Sequence, residues 1–189
     1  MKYNLALFAS GSGTNVENIF NYYKGHNFIS VSAVLTNNKK AFVIDRAKKL
    51  NLESFIFDIN DSESEVLSFL VSKNITHIIL AGYLKLISPK LIEIYKDKIL
   101  NIHPSLLPKF GGKGYYGDYI HESVINSSEK YSGITIHLVN NQYDEGKILF
   151  QKKIRLYNFD SVKSLSNRIH DLEYKFYPLI IEKYILNKL

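Results

Sequence analysis

Apolar runs of strand length alternate with helical patterns in the first half of this chain, and that alternation is its strongest constraint on the fold. The runs cover residues 4–9, 29–35, 54–56 and 76–81, and the segments between them carry apolar residues at helical spacing. Parallel strands need crossover connections, which helices usually supply. The order therefore predicts a parallel sheet with helices on both faces.

The pattern changes in the second half of the chain. After a short strand pattern at 99–102, residues 132–139 and 147–154 read as two strands joined by a turn, which predicts an antiparallel pair. A helical pattern over 161–189 follows, kinked or restarted at Pro178. The predicted fold class is α/β: a Rossmann-like open twisted sheet, mostly parallel with an antiparallel C-terminal hairpin.

Length and composition favour one domain over residues 1–189. The chain is 46% hydrophobic with 25 Phe and Tyr residues, enough for one sizeable core. It contains no cysteine, which excludes a disulfide framework and thiolate chemistry. No apolar run approaches the roughly 20 residues of a membrane span, and the N-terminus lacks the layout of a signal peptide. We therefore expect a cytoplasmic protein with no membrane partner.

The net charge of +6 comes from 21 Lys and three Arg residues spread along the chain. Base readout and bidentate phosphate binding favour arginine. A scattered lysine excess instead favours solubility or the attraction of small anions. We therefore expect no nucleic-acid partner.

One short strand ends in two polar side chains, Asn101 and His103. Pro104 and Pro108 follow and prevent a helix from starting directly behind the strand. Residues two apart share a face of a strand, and ligands of open α/β sheets bind at the carboxyl edge. Asparagine offers a neutral donor, and histidine a donor, an acid or a base. The alternative is that both residues only finish the strand by bonding the next turn.

The first strand is followed by a glycine-rich turn over residues 10–15 and then by a helix. Such a turn suits phosphate, because backbone N–H groups and the positive end of the helix dipole face the ligand. It lacks the lysine of a P-loop and the third glycine of a dinucleotide site. A tight turn in which Thr14 or Asn15 caps the helix explains the residues equally well.

Two further loops have unusual compositions. Residues 84–87 form an apolar stretch after a strand, and this stretch either lines a pocket for a flat ligand or closes the core. Residues 109–117 contain four glycines, a composition typical of a mobile lid beside the Asn101 strand.

Five motifs, together with Asp144 on a turn, resemble the folate-dependent formyltransferase family, in the branch that acts on phosphoribosylglycinamide. The resemblance covers essentially the whole chain. The motifs occupy residues 10–15, 80–89, 101–108, 133–137 and 144–146.

This resemblance implies transfer of a formyl group from 10-formyltetrahydrofolate, as co-substrate, to the amine of phosphoribosylglycinamide in purine biosynthesis. Asn101 and a protonated His103 would stabilise the tetrahedral oxyanion. Asp144 would keep His103 protonated by raising its pKa, and would help to relay protons. His137 is a competing imidazole, which we expect to be a packed residue near the site rather than a catalytic one.

The resemblance also assigns binding residues. Gly13, Thr14 and Asn15 would hold the substrate phosphate, and His170 and Glu173 would reach the sugar and glycinamide. From the helical pattern alone, Glu173 would lie on a solvated face. The residues implied for folate are Leu84, Lys85, Leu86, Ile87, Asn101, Asn140, Asn141 and Asp144.

The tail of the folate poses a separate question. An arginine that some family members use for it, before the helix near Ser62, has no counterpart here. Lys85 is the candidate for attracting that anionic tail.

Several other functions are compatible with parts of the pattern. They are formyl transfer to another amine such as a sugar nucleotide, hydrolysis that releases formate, and nucleotide binding without catalysis. A metal hydrolase would need His103, His121, His137 and Asp144, but no paired-ligand spacing occurs, so we expect no metal. The chain ends soon after the catalytic motifs, which favours phosphoribosylglycinamide as the acceptor. We expect small-molecule substrates as partners and a monomer or weak homodimer.

Overall fold

The computed structural model describes residues 2–58 and 63–189 of the chain. Within these residues, strands and helices alternate as far as the helix Asp118–Ile125, and two strands then follow each other directly, as predicted. The helix cap expected at Asp61 or Ser62 lies outside the described residues. The elements are β1 (Tyr3–Phe8), α1 (Thr14–Tyr23), β2 (Ile29–Thr36), α2 (Val43–Lys49), β3 (Glu53–Ile56), α3 (Glu63–Ser72), β4 (His77–Leu80), α4 (Pro89–Ile94), β5 (Ile99–His103), α5 (Asp118–Ile125), β6 (Tyr131–Leu138), β7 (Ile148–Arg155) and α6 (Val162–Ile185).

The strands follow the order β3-β2-β1-β4-β5-β6-β7 in the sheet. Strand β1 pairs in parallel with β2 and with β4, and β2 pairs in parallel with β3. Strands β6 and β7 are antiparallel. The predicted fold class is thus confirmed. The chain divides into two compact units, residues 1–100 and residues 101–189.

The core of the first unit is built on β1 and β4. Every residue of β4 is buried, and so is β1 from Leu5 onward. Their sequences are nearly continuous apolar runs, which is typical of parallel strands covered on both faces. The turn between β1 and α1 therefore starts from a rigid strand.

The predicted cap of α1 is wrong, since neither Thr14 nor Asn15 occupies the capping position. Gly13 precedes the helix with φ +75°, in the left-handed region, and no side chain among the described residues caps the helix end. A Cβ at Gly13 would also collide with the side chain of Val43. Only glycine combines that backbone conformation with so close a neighbour.

The second unit contains β6, β7 and the long helix α6. Strand β6 is buried from Ser132 to its end, whereas half or more of β7 is exposed. Helix α6 begins with a capping box in which Ser161 and Ser164 bond each other's backbone N–H groups at 3.1 and 2.9 Å. No helix in the described part of the chain is long and apolar enough to cross a membrane.

Helix α6 runs through Pro178 without a break, so the predicted restart at this residue is wrong. A proline inside a helix costs about 3 kcal/mol because it removes a hydrogen bond and crowds the preceding turn. Pro178 and its neighbours Tyr177, Ile180 and Ile181 are all buried. Their packing offsets that cost.

Candidate active site

In the first unit, the glycine-rich turn is held from behind by α2. The Gly11 carbonyl accepts a hydrogen bond from Val43 N–H at 3.1 Å, and the Ser12 carbonyl accepts one from Arg46 Nε at 2.8 Å. Arg46 also forms an ion pair with Glu17. Two carbonyls of the turn are therefore bound to α2, and the N-terminus of α1, which Gly13 opens, is the part that favours an anion.

The loop after β4 is joined to this turn through Ser10. The Ser10 hydroxyl accepts a hydrogen bond from Leu84 N–H at 3.1 Å. The apolar stretch is only partly buried, since Leu84 is 47% and Leu86 44% exposed while Ile87 is buried. Leu86 and Ile87 line a recess. Apolar side chains left in contact with water around a recess are typical of a pocket for a flat ligand.

The second unit brings together the three residues predicted to be catalytic and His137. Strand β5 supplies Asn101 and His103, β6 supplies His137, and the following turn supplies Asp144. Asp144 Oδ2 lies 3.4 Å from His103 Nδ1. Asp144 Oδ1 lies 3.4 Å from Asn101 Nδ2 and 3.6 Å from His137 Nε2. Asn101 Nδ2 is 3.1 Å from His137 Nε2.

Backbone carbonyls determine which nitrogen of each imidazole carries hydrogen. His103 Nε2 lies 2.7 Å from the Phe110 carbonyl, and His137 Nδ1 lies 2.8 Å from the Leu138 carbonyl. A carbonyl only accepts, so both of these nitrogens are donors. Neutral His103 therefore has its lone pair on Nδ1, toward Asp144. Neutral His137 has its lone pair on Nε2, where the Asn101 amide donates.

These bonds also bear on the simpler alternative for the strand end. His103 does bond the next turn, through Phe110, while its other nitrogen faces Asp144. The hydrogen bond to the next turn that the alternative expects is therefore present at His103, whereas the Asn101 side chain bonds His137 and Asp144.

The pKa of His103 lies below its ordinary value, which corrects the expectation that Asp144 keeps this residue protonated. Burial is the largest influence and lowers the pKa. The Asp144 charge and the Phe110 carbonyl raise it but do not compensate. His103 is only 4% exposed, so its cation would lose almost all of its hydration. Burial therefore opposes the charged form that Asp144 favours, and the nitrogen that gains the second proton is Nδ1, beside Asp144.

Asp144 is held as a carboxylate. Burial alone would raise its pKa, but His137, His103 and the Gly112 N–H together hold the pKa below its usual value. The Gly112 N–H donates to Oδ2 at 3.0 Å. The backbone of Asp144 has φ +58°, in the left-handed region that is unusual for residues other than glycine. A tight turn thus aims an ionised group at two imidazoles and an amide.

Helices α5 and α6 contribute a second group of titratable side chains. His170 Nδ1 lies 3.0 Å from Glu173 Oε2, and this hydrogen bond is the main reason why the pKa of His170 is raised. Glu173 is 5% exposed, so the solvated position suggested by the helical pattern is wrong. His121, on α5, is 3% exposed, and burial lowers its pKa. Among the described residues its Nδ1 has no hydrogen-bond partner.

The remaining predicted folate residues of this unit lie on the turn before Asp144. The Asn140 side chain accepts a hydrogen bond from Gln142 N–H at 3.0 Å and so shapes the turn, while Asn141 is exposed. Within residues 2–58 and 63–189, no three His, Cys, Asp or Glu side chains are grouped so that they could hold a metal ion.

Sequence reasoning missed the backbone groups of the site, the Phe110 carbonyl and the Gly112 N–H. Every residue has such groups, so no residue type reveals them. The glycine content of residues 109–117 was the only signal.

Known proteins match this chain closely. The family model described as formyl transferase matches residues 3–181. A Bacillus subtilis protein named phosphoribosylglycinamide formyltransferase is 37% identical over 185 residues, covering 94% of this chain and 92% of that protein. An Arabidopsis thaliana protein named chloroplastic phosphoribosylglycinamide formyltransferase is also 37% identical, but the chain spans only 63% of its length.

Solved structures agree with these sequence matches. The crystal structure of phosphoribosylglycinamide formyltransferase from Bacillus halodurans superimposes with a TM-score of 0.86 at 34% identity, covering 95% of this chain and 94% of that one. From the family match over residues 3–181 and these relatives, the chain belongs to the formyl transferase family.

Proposed function

We propose that this protein transfers the formyl group of 10-formyltetrahydrofolate to the amine of 5′-phosphoribosylglycinamide, giving formylated product and tetrahydrofolate in purine biosynthesis. Relatives at 32–37% identity over nearly the full chain carry the name of this activity. The observation that carries the proposal is the close grouping of Asn101, the buried His103 and Asp144, because binding alone needs none of this arrangement.

The chemistry requires a new bond from the acceptor nitrogen to the formyl carbon and cleavage of the bond from that carbon to folate N10. Attack creates a tetrahedral oxyanion, and preorganised donors lower its energy. Asn101 supplies an amide donor, whose hydrogens face His137 and Asp144 in the free protein. In this proposal the oxyanion replaces one of these acceptors.

Protons must move in the same reaction. The attacking amine loses one, and N10 of the leaving folate gains one. In the free protein burial lowers the pKa of His103, whose Nδ1 lies 3.4 Å from the ionised Asp144. This pair accepts the amine proton, which converts His103 into the charged donor that the oxyanion needs. The same pair then returns the proton to N10.

The binding residues are assigned within each unit separately. In the first unit, the proposal assigns the phosphate to Gly13, Thr14 and Asn15, supported by the left-handed glycine at the helix N-terminus. In the second unit, it assigns the sugar and glycinamide to His170 and Glu173, a hydrogen-bonded pair.

The folate residues are also assigned unit by unit. Leu84, Leu86 and Ile87 would contact the pterin, supported by the recess that Leu86 and Ile87 line, while the exposed Lys85 would attract the glutamate tail. In the second unit, Asn140 and Asn141 join Asn101 and Asp144 through the turn that Asn140 shapes.

We propose a single catalytic domain over residues 1–189 that acts in the cytoplasm as a monomer or weak homodimer. It uses small-molecule substrates and no metal, nucleic acid or membrane.

The test supplies 10-formyltetrahydrofolate with phosphoribosylglycinamide, with a sugar-nucleotide amine, or with no acceptor, and follows tetrahydrofolate release. We expect turnover only with phosphoribosylglycinamide. Equal release without acceptor would identify a hydrolase, and release only with the sugar nucleotide would change the acceptor. If the protein bound both ligands without turnover, it would be a binding protein without catalytic activity.

A further inference from the structure

A network of hydrogen bonds behind the site joins β7 and β6 to the loop that follows His103. Gln151 Nε2 donates to the Leu107 carbonyl at 3.0 Å and to the Thr135 hydroxyl at 2.9 Å. The Thr135 hydroxyl accepts from Leu107 N–H at 3.0 Å and donates to the Ser105 carbonyl at 2.7 Å. Both backbone groups of Leu107 are therefore held by side chains from neighbouring strands.

The direction of every bond in this network is determined by chemistry. Thr135 is fully buried. Its hydroxyl donates one hydrogen bond and accepts two, which is the full capacity of a hydroxyl group. Rotating the Gln151 amide would place its oxygen against the Leu107 carbonyl, where two acceptors would repel. The Gln151 amide nitrogen must therefore face inward and donate its two hydrogens to the Leu107 carbonyl and the Thr135 hydroxyl.

The network continues to the imidazole of His103. The Ser105 hydroxyl, which is fully buried, donates to the Lys109 carbonyl at 2.8 Å and lies 3.4 Å from the Phe110 carbonyl. The same Phe110 carbonyl accepts from His103 Nε2 at 2.7 Å. The acceptor that fixes the His103 tautomer thus belongs to the turn that Ser105, Thr135 and Gln151 hold in place.

We propose that Gln151 is a positioning residue for His103. By holding Leu107 and Thr135, it keeps the Phe110 carbonyl where His103 Nε2 needs its acceptor, so that Nδ1 stays unprotonated and faces Asp144. Gln151 touches no reacting group in this role. It lies on an exposed stretch of β7 beside Lys152 and Lys153, where its residue type alone would indicate a surface side chain.

This inference rests on the proposed function only for its kinetic consequence. The tautomer of His103 is a property of the free protein. The structural and catalytic parts can therefore fail separately.

The experiment compares Gln151→Leu, which keeps the volume but removes both donors, with Lys153→Leu as a matched control. Lys153 lies two residues along the same strand, with its ammonium group over the Tyr131 ring. Nitrogen-15 NMR of the imidazoles, assigned with His103→Gln, reports the tautomer above the His103 pKa. We expect the Nε2–H form of His103 in wild type and Lys153→Leu, and a mixture of both tautomers in Gln151→Leu.

Kinetics supply a second readout. We expect kcat for formyl transfer to fall about tenfold in Gln151→Leu, with KM for phosphoribosylglycinamide changed less than about twofold, because a misplaced imidazole affects the reaction more than binding. Thr135→Val should cause a similar loss, and the double variant little more, because both act on one turn.

A wild-type tautomer together with wild-type kcat in Gln151→Leu would overturn the proposal, even if the variant were less stable. A mixed tautomer in a protein that transfers no formyl group would leave the positioning role intact and overturn the proposed function instead.

Discussion

Two histidine–carboxylate pairs in the second unit have similar geometry and opposite pKa shifts. His103 Nδ1 lies 3.4 Å from Asp144, and His170 Nδ1 lies 3.0 Å from Glu173. The pKa of His103 is lowered and that of His170 is raised. The His103 side chain is 5% exposed and the His170 side chain 45%. A carboxylate neighbour therefore does not by itself set the charge of an imidazole, because loss of water can outweigh the attraction.

The opposite pKa shifts of His103 and His170 suit different roles, one in catalysis and one in substrate binding. A neutral imidazole beside an ionised carboxylate has room for one more proton, which a group-transfer reaction requires. An imidazolium bonded to a carboxylate keeps its proton and suits the binding of a polar substrate. We therefore expect the His103 pair to act in the reaction and the His170 pair to act in binding.

The largest expected effect is the loss of catalysis when the buried imidazole is removed. His103→Ala should lower kcat by at least about 100-fold, because it removes both the proton acceptor and a donor to the oxyanion. His170→Ala should raise KM for phosphoribosylglycinamide by about fivefold to tenfold and change kcat little, because its interaction is made in both ground and transition states. Steady-state kinetics of both variants measure the difference.

Circular dichroism of the two variants controls for folding. Equal losses of kcat in both variants would contradict the separate roles of the His103 pair in catalysis and the His170 pair in binding. An unchanged kcat in His103→Ala would remove this residue from the mechanism.

Removing each carboxylate should affect the two imidazoles in the same direction but with different consequences. Asp144→Asn should lower the pKa of His103 further, because the Asp144 charge raises it, and should lower kcat by about tenfold or more. Glu173→Gln should lower the pKa of His170 toward its ordinary value and leave kcat nearly unchanged. NMR titration of each imidazole gives the pKa changes. A His103 pKa that rose in Asp144→Asn would contradict the interaction.

The contrast between these pairs also marks what the sequence could predict. The alternation of strands and helices follows from local apolar patterns, and the placement of Asn101 and His103 follows from the two-residue period of a strand. Asp144 was placed on a turn from the sequence, but its role beside His103 came only from the family resemblance, because their distance depends on the fold of some 40 intervening residues. The expected rise in the pKa of His103 was wrong, because burial lowers that pKa and is a tertiary property that one partner residue does not reveal.

Other errors have equally specific causes. Gly13 takes the cap position because its left-handed backbone and the nearby Val43 exclude a side chain there. Glu173 is buried in a helix that packs against α5, β6 and β7, and helical periodicity does not identify these contacts. Gln151 carries no sequence signal, since its role depends on two backbone groups of Leu107 and a buried hydroxyl.

The pairs should have opposite effects on stability as pH changes. Between the lowered pKa of His103 and the ordinary 6.5, only the unfolded chain binds the proton, so the free energy of unfolding rises with pH. Between 6.5 and the raised pKa of His170, only the folded protein holds the proton, so the free energy falls as pH rises.

Urea denaturation across pH measures these slopes. Relative to wild type, His103→Gln should flatten the rise below pH 6.5 and His170→Gln the fall above it. His77, with its pKa lowered to about 4, and His121 add to the acidic slope in every variant, so only differences from wild type are compared. A steeper acidic slope in His103→Gln would contradict the lowered pKa.

The smallest expected effect separates the pairs by their access to salt. Dissolved ions screen charges that reach water, with a screening length of about 10 Å at 0.1 M, and screen buried charges much less. Raising the ionic strength from about 0.05 M to about 0.5 M should therefore move the pKa of His170 slightly toward its ordinary value, because its ring is 45% exposed. The pKa of His103 should not move, because burial rather than charge dominates it. NMR titration at both salt concentrations tests this. A His103 pKa that changed with salt would mean that ions reach the buried His103 pair. The proposed contrast with the more exposed His170 pair would then fail.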